Sequence, residues 1–232
     1  MLTRRTLLKG GGVVAAASLS GGLAGCMDLA TEAHAPPAPL SPAMPAMYGA
    51  VEGEPYPVEA VPPNVVPARY WRQRVPDPTG EAPGTIVVDP NAYTLHLVEP
   101  SGTAMRYGIG VGRAGFEWAG DAKVQYKRRW PKWTPPEEMI ARDPKLVQYS
   151  AANGSFPPGP DNPLGARALY LFQNGEDTLY RIHGSPEAWS IGKAVSSGCI
   201  RLLNQDVIDL HDRVQNGARV VVRTSRMPEA LA

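Results

Sequence analysis

The chain has 232 residues, with 23 Lys and Arg against 22 Asp and Glu, and a net charge of +1 at pH 7. That balance excludes nucleic acid as a general partner, which needs a strongly basic surface. Two cysteines and four scattered histidines, at 34, 96, 183 and 211, show no ligand spacing, so no metal framework is expected.

The first nine residues, MLTRRTLLK, are basic and hold no acid; Gly10–Gly25 is uncharged, small and apolar. The run is shorter than the ~20 apolar residues of a membrane-spanning helix. A basic head, a short apolar middle and small residues after it read as an export signal over 1–25, of the twin-arginine type. Two cleavage sites compete. Leu23-Ala24-Gly25-Cys26 fits a lipobox at all four positions and predicts lipidation of Cys26; Ala33-His34-Ala35 fits an A-x-A site. The lipobox is favoured, so the mature protein is expected in the periplasm or cell envelope, touching membrane only through that anchor. Cleavage there removes three bases and no acid, leaving 20 basic against 22 acidic residues.

Residues 26–80 are dense in proline, which blocks ladders and helices and favours extended chain. This stretch reads as a semi-rigid linker whose last ten residues, around Tyr70 and Trp71, pack on the domain that follows. That domain spans 81–224, and 225–232 is a tail. Its elements are mainly β. Thr85–Asp89 is a β-branched strand ending in an Asp-Pro-Asn turn. Tyr93–Val98 alternates as a half-buried strand, with His96 on the solvent face. Ala104–Val111 is a third strand and Lys123–Trp130 a fourth. Glu137–Arg142 makes at most two helical turns. Ala166–Gln173 and Thr178–His183 flank Asn174-Gly175 as a hairpin. Asn204 caps a helix reaching about Val214, with Val207, Leu210, His211 and Val214 on one stripe. Arg219–Arg223 closes the domain as a strand.

Gly110-Val-Gly-Arg-Ala-Gly115 matches a dinucleotide fingerprint by letter only. That site needs a helix to open there and an acid about twenty residues on. Phe116–Gly120 has no helical period, and the position is Trp130. The basic-aromatic stretch Lys123–Trp133 reads either as a face for an anionic glycan–peptide surface or lid near a cleft, or as a solvated strand.

Cys199 remains. Cys26 is either lipidated or removed, so Cys199 has no disulfide partner, which flags a reactive thiol. A thiol nucleophile needs a base. His34 lies in the linker, His96 points to solvent and His211 suits the end of a helix. His183 ends a strand before the turn Gly184-Ser185-Pro186, sixteen residues before Cys199, which is enough chain to return.

Arg181-Ile-His-Gly-Ser185, Ile191-Gly192 and Ser196-Ser-Gly-Cys-Ile-Arg-Leu202 resemble the signature of the L,D-transpeptidase catalytic domain, an H-G pair followed by S-x-G-C-x-R. Asn162-Pro-Leu-Gly165 and Asn204–Asp209 fit it as well. The resemblance implies a mixed β-sandwich with one or two short helices. It also implies peptidoglycan acyl transfer: Cys199 attacks the third residue's carbonyl in a tetrapeptide stem and expels D-alanine. The acyl group then passes to an amine on a second stem or an outer-membrane protein, or to water. It further implies acylation by carbapenem-type inhibitors and no cofactor. Within it, His183 is the base, and Gly198 supplies a backbone oxyanion donor. Ser196 orients, and Gly184, Ser185, Ser197 and Arg201 contact substrate or shape the loops. Arg201 either binds a carboxylate or ties down its loop. Many members carry a second histidine where this chain has Ser197, which leaves His183 as the only base. Two other classes stay open, a catalytically silent wall-binding module and a cysteine carboxypeptidase or amidase.

Overall fold

The computed structural model describes residues 44–112, 118–195 and 199–224. The export signal, Cys26, the start of the linker, Gly115, Ser196, Ser197, Gly198 and the tail 225–232 lie outside the described residues.

Eleven strands form one mixed sheet in the order β1-β4-β3-β2-β11-β6-β7-β8-β10-β5-β9. They are β1 (Gln73–Pro76), β2 (Ile86–Asp89), β3 (Thr94–Val98), β4 (Thr103–Gly108), β5 (Gly110–Gly112), β6 (Gly120–Arg129), β7 (Arg167–Gln173), β8 (Glu176–Ser185), β9 (Ala194–Val195), β10 (Ile200–Leu203) and β11 (Arg219–Val222). The helices are α1 (Met44–Met47), α2 (Glu137–Arg142) and α3 (Asn204–Arg213). None of them is long and apolar enough to cross a membrane.

The strand expected over 104–111 breaks at Ile109. Its first part pairs with β3 and β1, and its second with β10 and β9, near the opposite end of the strand order. One residue separates the two parts, so the sheet must wrap to bring its ends together. Residues from both ends, including Leu95, Tyr107, Ile182, Ile200 and Leu202, share one core with Val207 and Leu210 of α3. A β-rich sandwich is therefore observed, as its alternating apolar strands require.

The β7–β8 hairpin forms around Asn174 and Gly175, at φ 52° and 87°, the left-handed pair a two-residue primed turn needs. Asp89 Oδ1 accepts the Asn91 and Ala92 N–H groups at 3.0 and 3.1 Å and fixes the β2–β3 turn.

Four expectations change. β3 is buried on both faces, and His96 is only 9% exposed rather than solvated. Burial lowers the pKa of its imidazole, and Arg106 and Arg223 act in the same direction while Asp77 and Asp89 oppose them. Asn204 begins α3 instead of capping it. Its Oδ1 accepts the Ala166 N–H at 2.9 Å and bridges to β7. The basic-aromatic stretch divides: Lys123, Arg128, Arg129 and Lys132 are exposed, as a solvated strand would have them, while Lys127 and Trp130 are taken up by packing. Lys127 donates to the carbonyls of His211 and Val214, where α3 ends, and Trp130 is buried with its Nε1–H on Glu54 at 2.7 Å.

The fourth change concerns the proline-rich stretch, which is a strap from Tyr48 onward, some twenty residues earlier than expected. Tyr48, Val66 and Tyr70 pack with Ile191 and Leu203, and Val58 packs with Trp130 and Ala166. Glu54 meets buried Arg167 through two hydrogen bonds of 3.0 and 2.5 Å. The strap then adds β1 to the sheet edge. Proline denies the strap a ladder of its own, and apolar and charged anchors hold it to the sheet instead.

Candidate active site

β8 and β10 run parallel, with Ile182 opposite Ile200 and His183 opposite Arg201. Ile182, Ile200 and Leu202 point into the core at 0–1% exposure. Side chains alternate across a strand, so Arg181, His183 and Arg201 lie on the other face. Cys199 immediately precedes β10, two residues before Arg201, and its carbonyl accepts the Gly112 N–H at 3.1 Å. The alternation that buries Ile200 therefore brings Cys199 to the same face as His183, on neighbouring strands.

His183 Nδ1 stands 2.7 Å from the Gly184 carbonyl oxygen. A carbonyl can only accept, so Nδ1 carries the proton and Nε2 holds the free lone pair. Gly184 has no room for a side chain. A Cβ there would run into Asn204 and Val207. The glycine thus lets β8 lie close against α3 while its carbonyl fixes the imidazole. Burial pushes the His183 pKa down to about 4, and the Arg201 and Arg181 guanidiniums push the same way, against the Gly184 hydrogen bond. The ring is neutral at pH 7. The Cys199 thiol is partly accessible, yet burial raises its pKa, against a hydrogen bond from the Arg181 backbone and the two guanidiniums. Among the described residues the resting pair is a neutral thiol and a neutral imidazole, not an ion pair.

The remaining expected residues divide. Arg201 Nη1 donates to Glu187 Oε2 at 2.5 Å, so its guanidinium ties β10 to the 186–190 loop. Ser185 is buried and its hydroxyl accepts the Glu187 N–H at 3.1 Å, a local turn bond. Ser196, Ser197 and Gly198 fall outside the described residues. Arg181, inside the motif but without an expected role, also lies on this face. Its spacing of two from His183 on a strand was the available signal. Tyr70 was also missed as a neighbour. Its ring fills the space beside Gly192, which at φ 78° admits no side chain there. Gly192 N–H in turn bonds the Ile109 carbonyl at 2.9 Å, so the strap braces the segment leading to Cys199. Among the described residues, no three His, Cys, Asp or Glu side chains converge as a metal cluster. A groove of about 580 Å³ at the turn end of the hairpin, lined by Lys123, Phe172 and Arg219 among others, shares no residue with this site.

The family of L,D-transpeptidase catalytic domains (YkuD) matches residues 83–222. The probable L,D-transpeptidase YbiS of Escherichia coli K12 is 34% identical over 154 residues, 63% of this chain and 45% of that protein. A Bacillus licheniformis protein carrying the family name is 48% identical over 140 residues, 60% of this chain and 66% of its own. A solved Brucella melitensis structure, described as a probable carnitine operon oxidoreductase, is 48% identical. It covers 68% of this chain and 96% of its own with a TM-score of 0.48. That description belongs to that protein. Here Gly110–Gly112 is β5, antiparallel to β10 and unpaired with β6, which is not the opening strand of a dinucleotide-binding unit. The chain spans less than half the length of the Escherichia coli relatives it matches. With the family match covering most of the chain and the strand pair carrying His183 and Cys199 inside it, the protein belongs to the L,D-transpeptidase catalytic domain family.

Proposed function

We propose that the protein is a peptidoglycan L,D-transpeptidase in which Cys199 is the nucleophile and His183 the general base and acid. The observation that carries this reading is the 2.7 Å bond from His183 Nδ1–H to the Gly184 carbonyl, which leaves Nε2 basic on the face Cys199 shares.

Nε2 takes the thiol proton as sulfur attacks the carbonyl of the third stem residue. The oxyanion is held by backbone N–H groups at Gly198 and Cys199. The intermediate collapses, the C–N bond to D-alanine breaks, and the imidazolium returns its proton to the departing amine. A thioester remains. An amine of a second stem or of an outer-membrane protein then attacks it. His183 takes that amine's proton and passes it back to the leaving thiolate. Ser196 orients the loop and Ser197 borders the substrate, while Gly184, Ser185 and Arg201 shape the turns that hold the pair. Export to the periplasm and anchoring through lipidated Cys26 complete the proposal.

Incubation of the protein with tetrapeptide-stem muropeptides tests the reading. The expected products are cross-linked dimers or stems with an exchanged terminal D-amino acid, together with a thioester adduct on Cys199 by intact mass. Release of D-alanine with neither product would assign water as the acceptor and make the enzyme a carboxypeptidase. No adduct and no released D-alanine would leave only wall binding. Mass analysis of the membrane fraction tests lipidation, with loss of the anchor expected in Cys26→Ser.

A further inference from the structure

β8 does not reach the site as a straight strand. Against β7, Phe172 faces Asp177 and Tyr170 faces Arg181, so β8 spends three residues where β7 spends one. Leu179 sits at the centre of this bulge with φ +62°. A leucine in the left-handed region is uncommon and costs free energy. Burial of its side chain does not offset that cost, because Leu179 is 70% exposed.

Neighbouring side chains hold the conformation. Asp177 Oδ1 accepts the Leu179 N–H at 2.8 Å. Thr178 Oγ1 donates to the Leu171 carbonyl at 2.6 Å and accepts the Tyr180 N–H at 3.2 Å. Asp177 also holds the Arg181 guanidinium, at 2.7 and 2.8 Å. What this arrangement delivers is a carbonyl oxygen beside the sulfur: Cys199 Sγ donates to Leu179 O at 3.7 Å. The Arg181 backbone bonds the same sulfur in the sense that favours thiolate. One bulged strand thus offers the sulfur an acceptor while it is protonated and a donor once it is not.

We propose that Leu179 is a positioning residue, whose left-handed bulge aims its carbonyl at Cys199 and holds the resting nucleophile as an oriented neutral thiol. The proton leaves this S–H···O contact for His183 Nε2 when sulfur attacks, and the thiolate is left with the Arg181 N–H. The inference rests on the reading of Cys199 as nucleophile. It makes the backbone conformation at 179 necessary and the leucine side chain dispensable.

The test contrasts Leu179→Gly, which enters the left-handed region freely, with Leu179→Val, whose branched Cβ resists it. The pH profile of Cys199 alkylation by iodoacetamide is measured on the full chain, beside kcat and KM for muropeptide acylation. Leu179→Gly is expected to keep the wild-type profile and turnover. Leu179→Val is expected to alkylate about two- to fivefold faster at neutral pH, as the thiol loses a weak acceptor, with its profile moved to lower pH. Its kcat falls while KM holds. Equal losses in both variants with a raised KM would make the side chain a substrate contact and overturn the proposal. A valine variant with the wild-type profile and turnover would also overturn it. Should that variant fail to fold, Thr178→Ala loosens the same bulge and is expected to move the profile the same way. Retained turnover in Cys199→Ser would instead overturn the nucleophile assignment, whatever the alkylation profiles show.

Discussion

Asp206, in the first turn of α3, is fully buried, and its Oδ1 accepts no hydrogen bond. Its neighbours come from the strap. Tyr48 O–H donates to Oδ2 at 3.3 Å, and Arg72 Nε stands 3.8 Å from Oδ1. Burial pushes its pKa up to about 7 from the ordinary 3.8, with Arg72 and Tyr48 opposing and Asp209 adding. A carboxyl whose folded pKa is raised stabilises the fold below its unfolded pKa and loses that contribution as pH rises through the folded one. Between pH 5 and 8.5 a shift from 3.8 to about 7 removes about 3 kcal/mol of stability. Asp206→Asn keeps an acceptor for Tyr48 and cannot ionise, while Arg72 retains Asp209 at 3.3 Å. Urea unfolding at both pH values measures the effect. With a slope of about 2 kcal/mol per molar, the wild-type midpoint is expected to fall by more than 1 M from pH 5 to 8.5 relative to the variant. Parallel curves for the two proteins across this range would refute the reasoning.

Replacing Glu54 by Ala strips the partner from a 1%-exposed Arg167 guanidinium, so a loss of about 3–5 kcal/mol is expected in chemical denaturation. His183→Ala is expected to abolish acylation by mass spectrometry. The imidazole is 3% exposed, so a stability loss of roughly 1–3 kcal/mol accompanies it; full acylation in this variant would remove His183 as the base. A carbapenem is expected to add its whole mass to the wild type and nothing to Cys199→Ala, because ring opening by sulfur expels no fragment; an adduct on the variant would place the reaction elsewhere. The rate of muropeptide acylation is expected to hold level from pH 8 down to about pH 5, since His183 gains a proton only near 4; a steep acid loss centred at pH 6.5 would indicate an unperturbed imidazole.

Strand periodicity made most of the sheet legible, and the motif singled out Cys199 and His183, which neighbouring strands bring to one face, because both depend on local order along the chain. The spacing of two between Arg181 and His183, and the core positions Ile182 and Ile200 between the site residues, needed no knowledge of distant contacts. The failures share a cause. His96 alternates as a solvent-facing residue, yet it is buried among its neighbours and feels charged side chains from four other segments. The prolines leave 52–67 without a regular helix or ladder beyond one bridge between Val51 and Val58, but they say nothing about whether extended chain lies in solvent or on a sheet. The anchor Glu54 meets Arg167 across 113 residues of sequence. Asn204 has the chemistry of a cap, and only the proximity of Ala166 turned it to a tertiary bond. The bulge at Leu179 left no glycine or asparagine to announce it.

The two guanidiniums on the site face give the proposed chemistry a direction. Arg201 and Arg181 each lower the pKa of both His183 and Cys199. Positive charge near an imidazole opposes its protonation, so His183 waits as a free base, and once protonated it is a strong acid for the leaving amine. The same charge favours thiolate and any oxyanion formed on that face, so it stabilises negative charge as it develops. Burial opposes thiolate formation before substrate arrives. Proton transfer is therefore costly in the empty site and becomes favourable when an acyl carbonyl accepts the charge. Arg181 is held by Asp177 and lies over the Tyr170 ring at 4.5 Å, while Arg201 is held by Glu187. Each cation is anchored by a carboxylate on its own side of the site, at a position fixed before any substrate binds.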